Sequence, residues 1–276
     1  MRLGLLQTCV SDDPEANLPE TLALLREAVA QGADFVATPE VTNCLSTDRA
    51  HQRGVLRPEP RDATLAALRA EAKAQGIWVL IGSLALRTAD PAGRFANRSF
   101  LIDPEGRIAA RYDKIHMFDV AVSETETYRE SAGYRPGTRA TLAQTPWGGL
   151  GMTICYDLRF PLLYRRLARA GAAFLTVPSA FSPVTGAAHW EPLLRARAIE
   201  TGCFVVAPAQ SGKHAASTGK SRTTYGHSMV VAPWGEVLLD AGDATGAYVT
   251  EIDPAAVEAA RARVPAITSE QPWEGP

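Results

Sequence analysis

Short apolar runs alternate with helix-spaced segments along most of this chain, and glycines close several of the helical ones. Arg2–Cys9 reads as a strand. Pro14–Gln31 carries Leu18, Leu22, Leu25 and Val29 at helical spacing, with Gly32 at the stop. Asp34–Thr38 is a short apolar run that ends at Pro39-Glu40. Asp62 caps a helix that runs to Gln75 and stops at Gly76, and Ile77–Leu86 reads as a buried strand. Asn97–Asp103 and Arg107–Tyr112 flank the hairpin signal Pro104-Glu105-Gly106. The second half repeats the alternation, with strands at Leu150–Cys155, Phe174–Val177 and Cys203–Pro208 and helices at Pro161–Ala170, Ala188–Thr201 and Ala255–Arg263. Further strands are expected at His227–Ala232, Glu236–Asp240 and Tyr248–Ile252. Such a mixture of βα units and hairpins predicts α/β layers with a mixed sheet. Stretches 118–149, 178–187 and 210–226 show no period, and long irregular segments in a compact domain are usually functional.

A chain of 276 residues fits one or two domains. Its 46% hydrophobic and 21% charged residues exclude a disordered or collagen-like protein. The formal charge of -2, with no single-sign runs, provides no field for nucleic acid, so no such partner is expected. Ile77–Leu86, the longest apolar stretch, falls short of the about 20 residues a membrane span needs, and no membrane association is expected. The opening MRLGLLQTCVSDD turns polar too soon for a secretory signal. Cys9, Cys44, Cys155 and Cys203 are far apart and are expected to be reduced thiols of a cytoplasmic protein. The histidines lack HxxxH or HExxH spacing, so no metal is expected. Trp147-Gly148-Gly149-Leu150-Gly151 is glycine-rich but precedes a strand and lacks GxGxxG spacing, which argues against a dinucleotide site.

Three residues stand at the ends of expected strands. Cys155 lies between an apolar strand and a helix, where the helix dipole and free backbone N–H groups favour a thiolate and could hold an oxyanion. A buried cysteine of ordinary packing has the same sequence context. Glu40 follows a buried strand, at the carboxyl end where ligands bind in open α/β sheets; a helix cap or a solvated loop acid fits there too. Lys114 is one of four lysines against 24 arginines, amid apolar neighbours, where a compact ammonium does what a guanidinium does not. A surface strand end is its plainer alternative. Separations of 74 and 41 residues, each at a strand end, place the three on one edge of a sheet.

Thr38-Pro39-Glu40, the run Tyr112 to Asp119 and the run Ile154 to Pro161 together resemble the three catalytic blocks of the nitrilase superfamily of carbon–nitrogen hydrolases. The resemblance extends in order over about residues 2–265. It implies a four-layer α-β-β-α sandwich, with a hydrolase domain over 1–265 and a C-terminal tail over 266–276. It also implies a Glu40, Lys114 and Cys155 triad and a second glutamate near the lysine, a position that Glu130 fits. Pro178-Ser179-Ala180-Phe181 and the run Thr185 to Glu191 resemble the branch of deaminated glutathione amidases and omega-amidases. The runs Leu194 to Glu200, Ala209 to His214 and Tyr225 to Met229 lean to the former. Two departures stand out: Ile267–Pro276 lacks the basic, tyrosine-ended tail of that branch, and Ala215–Thr224 is longer than usual.

The implied chemistry is amide hydrolysis through a thioester. Cys155 is the nucleophile, Glu40 the base and then acid, and Lys114 the oxyanion partner, with help from the Tyr156 backbone N–H. Glu130 would hold Lys114 charged and oriented. The implied substrate is a small acidic amide, foremost deaminated glutathione, cleaved to 2-oxoglutarate and Cys-Gly. An omega-amidase acting on 2-oxoglutaramate, an N-carbamoyl hydrolase, a nitrilase or a catalytically silent scaffold are the alternatives; the intact triad speaks against the last. Arg159 is expected to pair with a substrate carboxylate in a forked geometry, or else to form a structural ion pair with Asp157. Phe181 and Thr185 are expected to line the pocket, and His189 and Trp190 to open a helix. No metal or organic cofactor is required, and the resemblance implies at least a homodimer, packed through the helix after Cys155 and residues 188–201.

Overall fold

Backbone pairing draws the apolar runs into two sheets. In this computed structural model, residues 1–122, 127–269 and 271–275 are described. Residues 123–126 of the irregular stretch 118–149, and Glu270 and Pro276 of the tail, lie outside them. The first half runs β1 (Arg2–Gln7), α1 (Pro14–Ala30), β2 (Phe35–Ala37), α2 (Arg49–Val55), α3 (Ala63–Gln75), β3 (Trp78–Leu86), β4 (Ala96–Ile102) and β5 (Ile108–Asp113). A ribbon of β6 (Asp119–Ala121) and β7 (Thr127–Arg129) follows. The second half runs β8 (Thr141–Thr145), β9 (Gly148–Met152), α4 (Pro161–Arg169), β10 (Ala172–Thr176), α5 (Pro183–Thr201) and β11 (Phe204–Ala207). It ends with a ribbon of β12 (Ser211–Lys213) and β13 (Thr223–Tyr225), then β14 (Met229–Val231), β15 (Val237–Asp240), β16 (Gly246–Glu251) and α6 (Ala255–Arg263).

Among the described residues the strands form two six-stranded sheets, in the orders β16-β1-β2-β3-β4-β5 and β15-β14-β11-β10-β9-β8. Each is mixed. The β1, β2 and β3 neighbours pair in parallel, as do β9, β10 and β11, while hairpin partners run antiparallel. Leu3, Leu5, Phe35 and Leu80 of the first sheet share one buried cluster with Leu150, Met152, Phe174 and Val205 of the second. The outer face of the first sheet packs on α1 and α3 through Val36, Val79, Leu25 and Leu68. Helices α4 and α5 cover the second sheet against β10 and β11. The result is the expected four-layer α-β-β-α sandwich.

Local chemistry sets the ends of the elements. Asp13 accepts hydrogen bonds from the Glu15 and Ala16 amides at the start of α1, and Asp62 caps α3 through Leu65 N at 2.8 Å. Gly202, at φ +58, stops α5. Several expected boundaries need correction. Helix α5 begins at Pro183, so much of the stretch 178–187 is helical and His189 and Trp190 lie inside the helix rather than opening it. Strand β9 ends at Met152, and Cys155 starts a 3-10 turn over Cys155–Arg159. The stretches read as irregular contain β8 and the two ribbons.

One glycine lets the sheets converge at the site. A Cβ on Gly82 would lie 2.0 Å from Thr38 O, 2.4 Å from Pro39 O and 2.5 Å from Pro178 Cβ. The loop after β2 therefore crosses β3 in contact with backbone, and no side chain fits between. Gly82→Ala is expected to displace the Glu40 loop and to destabilise the protein by about 2 kcal/mol or more, read from urea unfolding.

Candidate active site

Glu40 sits three residues beyond β2 in a loop fixed by Ser83. Val41 N donates to Ser83 Oγ at 2.8 Å and Thr42 N to Ser83 O at 2.9 Å. Lys114 directly follows β5; its amide donates to Asn97 O at 3.0 Å and its carbonyl accepts from Gly137 N at 2.7 Å. Cys155 follows β9, and its amide donates to Pro178 O at 3.0 Å. The structure thus brings Glu40, Lys114, Cys155 and Glu130 to one cavity of about 650 Å³. Val41 and Cys155 both adopt φ of +50, a left-handed conformation that is sparsely used by residues with a Cβ and concentrates at functional sites.

The polar core is a buried ammonium between two carboxylates. Lys114 Nζ donates to Glu40 Oε1 at 2.9 Å and to Glu130 Oε1 and Oε2 at 3.0 and 2.9 Å. Asn97 Nδ2 bridges the same two acids, at 2.8 Å to Glu40 and 3.4 Å to Glu130. Glu40 Oε2 accepts from Ala180 N at 2.8 Å, and the Cys155 thiol hydrogen-bonds to the same carboxylate group. Glu130 Oε2 accepts from Phe118 N at 2.6 Å. Asp157, fully buried, ties the lysine segment to the cysteine turn. It accepts from Tyr112 Oη at 2.6 Å, His116 N at 3.0 Å and Ile154 N at 2.9 Å, and pairs with His116 Nδ1 at 2.7 Å.

These contacts decide the protonation states. Burial raises the Glu40 carboxyl, but the Lys114 charge and hydrogen bond outweigh it, with further help from Arg222 and the thiol, and hold it below its ordinary range. Burial also opposes the Lys114 charge; Glu130 and Glu40 overcome it and keep the ammonium protonated well above its usual range. Burial, then the Glu40 charge, pushes the Cys155 thiol up to about 12, with partial relief from Lys114. The expected thiolate is therefore corrected. The resting site holds a thiol hydrogen-bonded to a carboxylate, because desolvation and a neighbouring negative charge outweigh the helix-start field.

Tyr156, Phe181 and Thr185 line the cavity. Phe181 packs on Trp190 with ring centroids 4.9 Å apart. Arg159 does not bond Asp157, whose oxygens are taken by Tyr112, His116 and Ile154. Its guanidinium lies 5.6 Å from the Phe181 ring and contacts His189 Nδ1 at 3.2 Å, behind the cavity wall. The contacts of Asn97, Asp157 and Arg222 escaped the sequence reading, which considered Asp157 only as a partner of Arg159. Asn97 stands in a polar run, Asn97-Arg98-Ser99, so nothing in the sequence set it apart. Among the described residues no group of histidine, cysteine, aspartate or glutamate side chains is disposed to hold a metal ion, and no helix is long and apolar enough to cross a membrane.

Known proteins resemble this chain over most of its length. The carbon–nitrogen hydrolase family model matches residues 2–262. The deaminated glutathione amidase of Yersinia enterocolitica is 38% identical over 275 residues, spanning 96% of this chain and 91% of that protein. The protein of the same name from Synechocystis sp. is 40% identical over 255 residues, spanning 91% of each. Nit3 of Saccharomyces cerevisiae, a member of branch 10 of the nitrilase superfamily, superposes with a TM-score of 0.83 at 28% identity, covering 98% of this chain and 96% of that one. The chain belongs to the carbon–nitrogen hydrolase family. It is a hydrolase of carbon–nitrogen bonds.

A protonated resting thiol has a measurable signature. Alkylation of Cys155 by iodoacetamide, followed by peptide mapping, is expected to rise about tenfold per pH unit between pH 7 and 9. A rate already level at pH 7 would reveal a stored thiolate.

Proposed function

We propose that this protein is a cysteine-dependent amidase that cleaves a small acidic amide, deaminated glutathione, to 2-oxoglutarate and Cys-Gly. The observation that carries the reading is the single carboxylate, Glu40, bonded at once to the Cys155 thiol and the Lys114 ammonium inside the cavity. The names of the relatives support the substrate. Four cations, Arg49, Arg129, Lys220 and Arg222, line the same cavity, and none is in an ion pair among the described residues. They favour an anionic substrate.

In this mechanism Cys155 Sγ attacks the amide carbon while its proton passes to Glu40. The oxyanion forms against Lys114 Nζ and the Tyr156 backbone N–H. Glu40 returns the proton to the departing amine nitrogen, the carbon–nitrogen bond breaks, and a thioester remains. Water then enters, Glu40 takes its proton, and the second tetrahedral species collapses to the acid, with the proton returned to sulfur. Glu130 holds Lys114 charged and in place. Phe181 and Thr185 border the acyl chain, with Arg159 supporting Phe181 from behind. The protein acts in the cytoplasm as at least a homodimer; exposed Leu162 on α4 and Ile199 on α5 support packing across those helices.

Cys155→Ala is expected to abolish turnover with an unchanged circular dichroism spectrum. Lys114→Arg keeps the charge but is expected to lose roughly 10²- to 10³-fold in kcat. Purified protein assayed for 2-oxoglutarate release should show higher kcat/KM on deaminated glutathione than on 2-oxoglutaramate. The reverse order would make it an omega-amidase, and a turning-over Cys155→Ala protein would overturn the mechanism.

A further inference from the structure

The hairpin of β12 and β13 delivers a cation to the cavity. Strands β12 and β13 pair Ser211 with Tyr225 and Lys213 with Thr223, and the loop between them is tied down on both sides. Asp12 accepts from Ser217 N and Oγ at 2.8 and 2.7 Å, and Thr47 exchanges bonds with Lys220 at 2.9 and 3.1 Å. At its base, Arg222 turns into the cavity wall.

Arg222 differs from the other cations there. Arg49, Arg129 and Lys220 are exposed, Lys114 is occupied by two carboxylates, and Arg222 is half-buried. Its Nη2 donates to Ala180 O, and its guanidinium lies 5.3 Å from the Tyr128 ring, so its plane is fixed. Its Nε is shielded from solvent and has no hydrogen-bond partner. A guanidinium carries five N–H donors, and this one spends a single donor on protein among the described residues. Ala180, which receives that bond, also donates its own N–H to Glu40, so the cation stands one residue from the general base.

We propose that Arg222 is the specificity-determining residue that receives the carboxylate at the far end of the acyl chain, selecting 2-oxo-acid amides over uncharged ones. This rests on the amidase function proposed above. The guanidinium, with one of its five donors used, completes its hydrogen bonds on a carboxylate, which accepts in the forked geometry that arginine offers. Ligand and side chain are then both fixed while the other end of the acyl chain meets Cys155. The Arg222 charge also acts on Glu40, so a role in positioning the base must be separated from a role in recognition.

Two measurements make that separation. In the first, kcat/KM is measured for 2-oxoglutaramate and for the uncharged butyramide with wild-type protein, Arg222→Gln and Arg222→Lys. Recognition predicts that the charged-to-uncharged preference falls about 10- to 100-fold in Arg222→Gln, mainly through KM, and recovers in part in Arg222→Lys. An equal loss on both substrates, carried by kcat, would assign Arg222 to positioning Glu40 and overturn the proposal. In the second, 2-oxoglutarate binding to Cys155→Ala protein is followed by calorimetry with and without Arg222→Gln. A similar loss of affinity supports the carboxylate site, and unchanged affinity or no binding to either protein overturns it. Binding needs no turnover, so a wild-type protein inactive on every amide would defeat the amidase reading while this result still judged Arg222.

Discussion

A buried ammonium organises this molecule. Lys114 is almost wholly withdrawn from water, and its three carboxylate contacts at 2.9 to 3.0 Å come from two distant parts of the chain. Such a charge is tolerated only when paired and hydrogen-bonded, and removing one partner from a buried pair costs about 3–5 kcal/mol. The pairing has a definite pH window. Glu40 titrates below its unfolded value, so its contribution to stability is present above the ordinary carboxylate range and fades as pH falls through the lowered value. Lys114 titrates above its unfolded value, so its contribution is complete below the ordinary lysine range and fades as pH rises through the raised one. Across neutral pH both ionised forms persist. The same arrangement that satisfies the ammonium leaves Glu40 ionised beside a thiol.

The sandwich exists to bring three chain segments to that ammonium. Parallel neighbours in each sheet place the loops after β2, β9 and β10 on one side, where Glu40, Cys155 and Ala180 meet. Gly82 allows the first sheet's loop to approach Pro178 of the second. Asp157 then joins the lysine segment to the cysteine turn through Tyr112 and His116, and His116 stacks on Phe160 with ring centroids 3.5 Å apart. Hydrogen bonds across the interface of the two sheets therefore set the position of Cys155, and the strands carry that setting.

Much of this was legible in the sequence where periodicity and stop signals coincide. Helix α1 follows from apolar spacing that stops at a glycine, α3 from an aspartate cap and a glycine, and α6 has the bounds expected of it. Helix α5 hid its first turn because Gly186 reads as a loop residue. The residue is glycine because the Tyr225 ring occupies the space a side chain would need, 2.3 Å from a Cβ, and the segment around it is helical. Strand β8 is a half-exposed edge strand with little alternation, and the ribbons are too short for any period. Glu40, Lys114 and Cys155 could be singled out because each sits in a distinctive block. Asn97, Asp157 and Arg222 could not, since their roles lie in partners 33 to 57 residues away or across a cavity. The thiolate expectation failed for a related reason: a strand-to-turn sequence reveals the local field but not the burial or the carboxylate that outweighs it.

The central claim is that acyl transfer passes through Cys155 sulfur. Rapid acid quench of wild-type protein within the first turnover on deaminated glutathione, followed by intact-mass and peptide analysis, tests it directly. The account predicts a transient adduct of one 2-oxoglutaryl group, confined to the peptide that carries Cys155. Turnover with no such adduct at any quench time, or an adduct on Cys9, Cys44 or Cys203 instead, would contradict it.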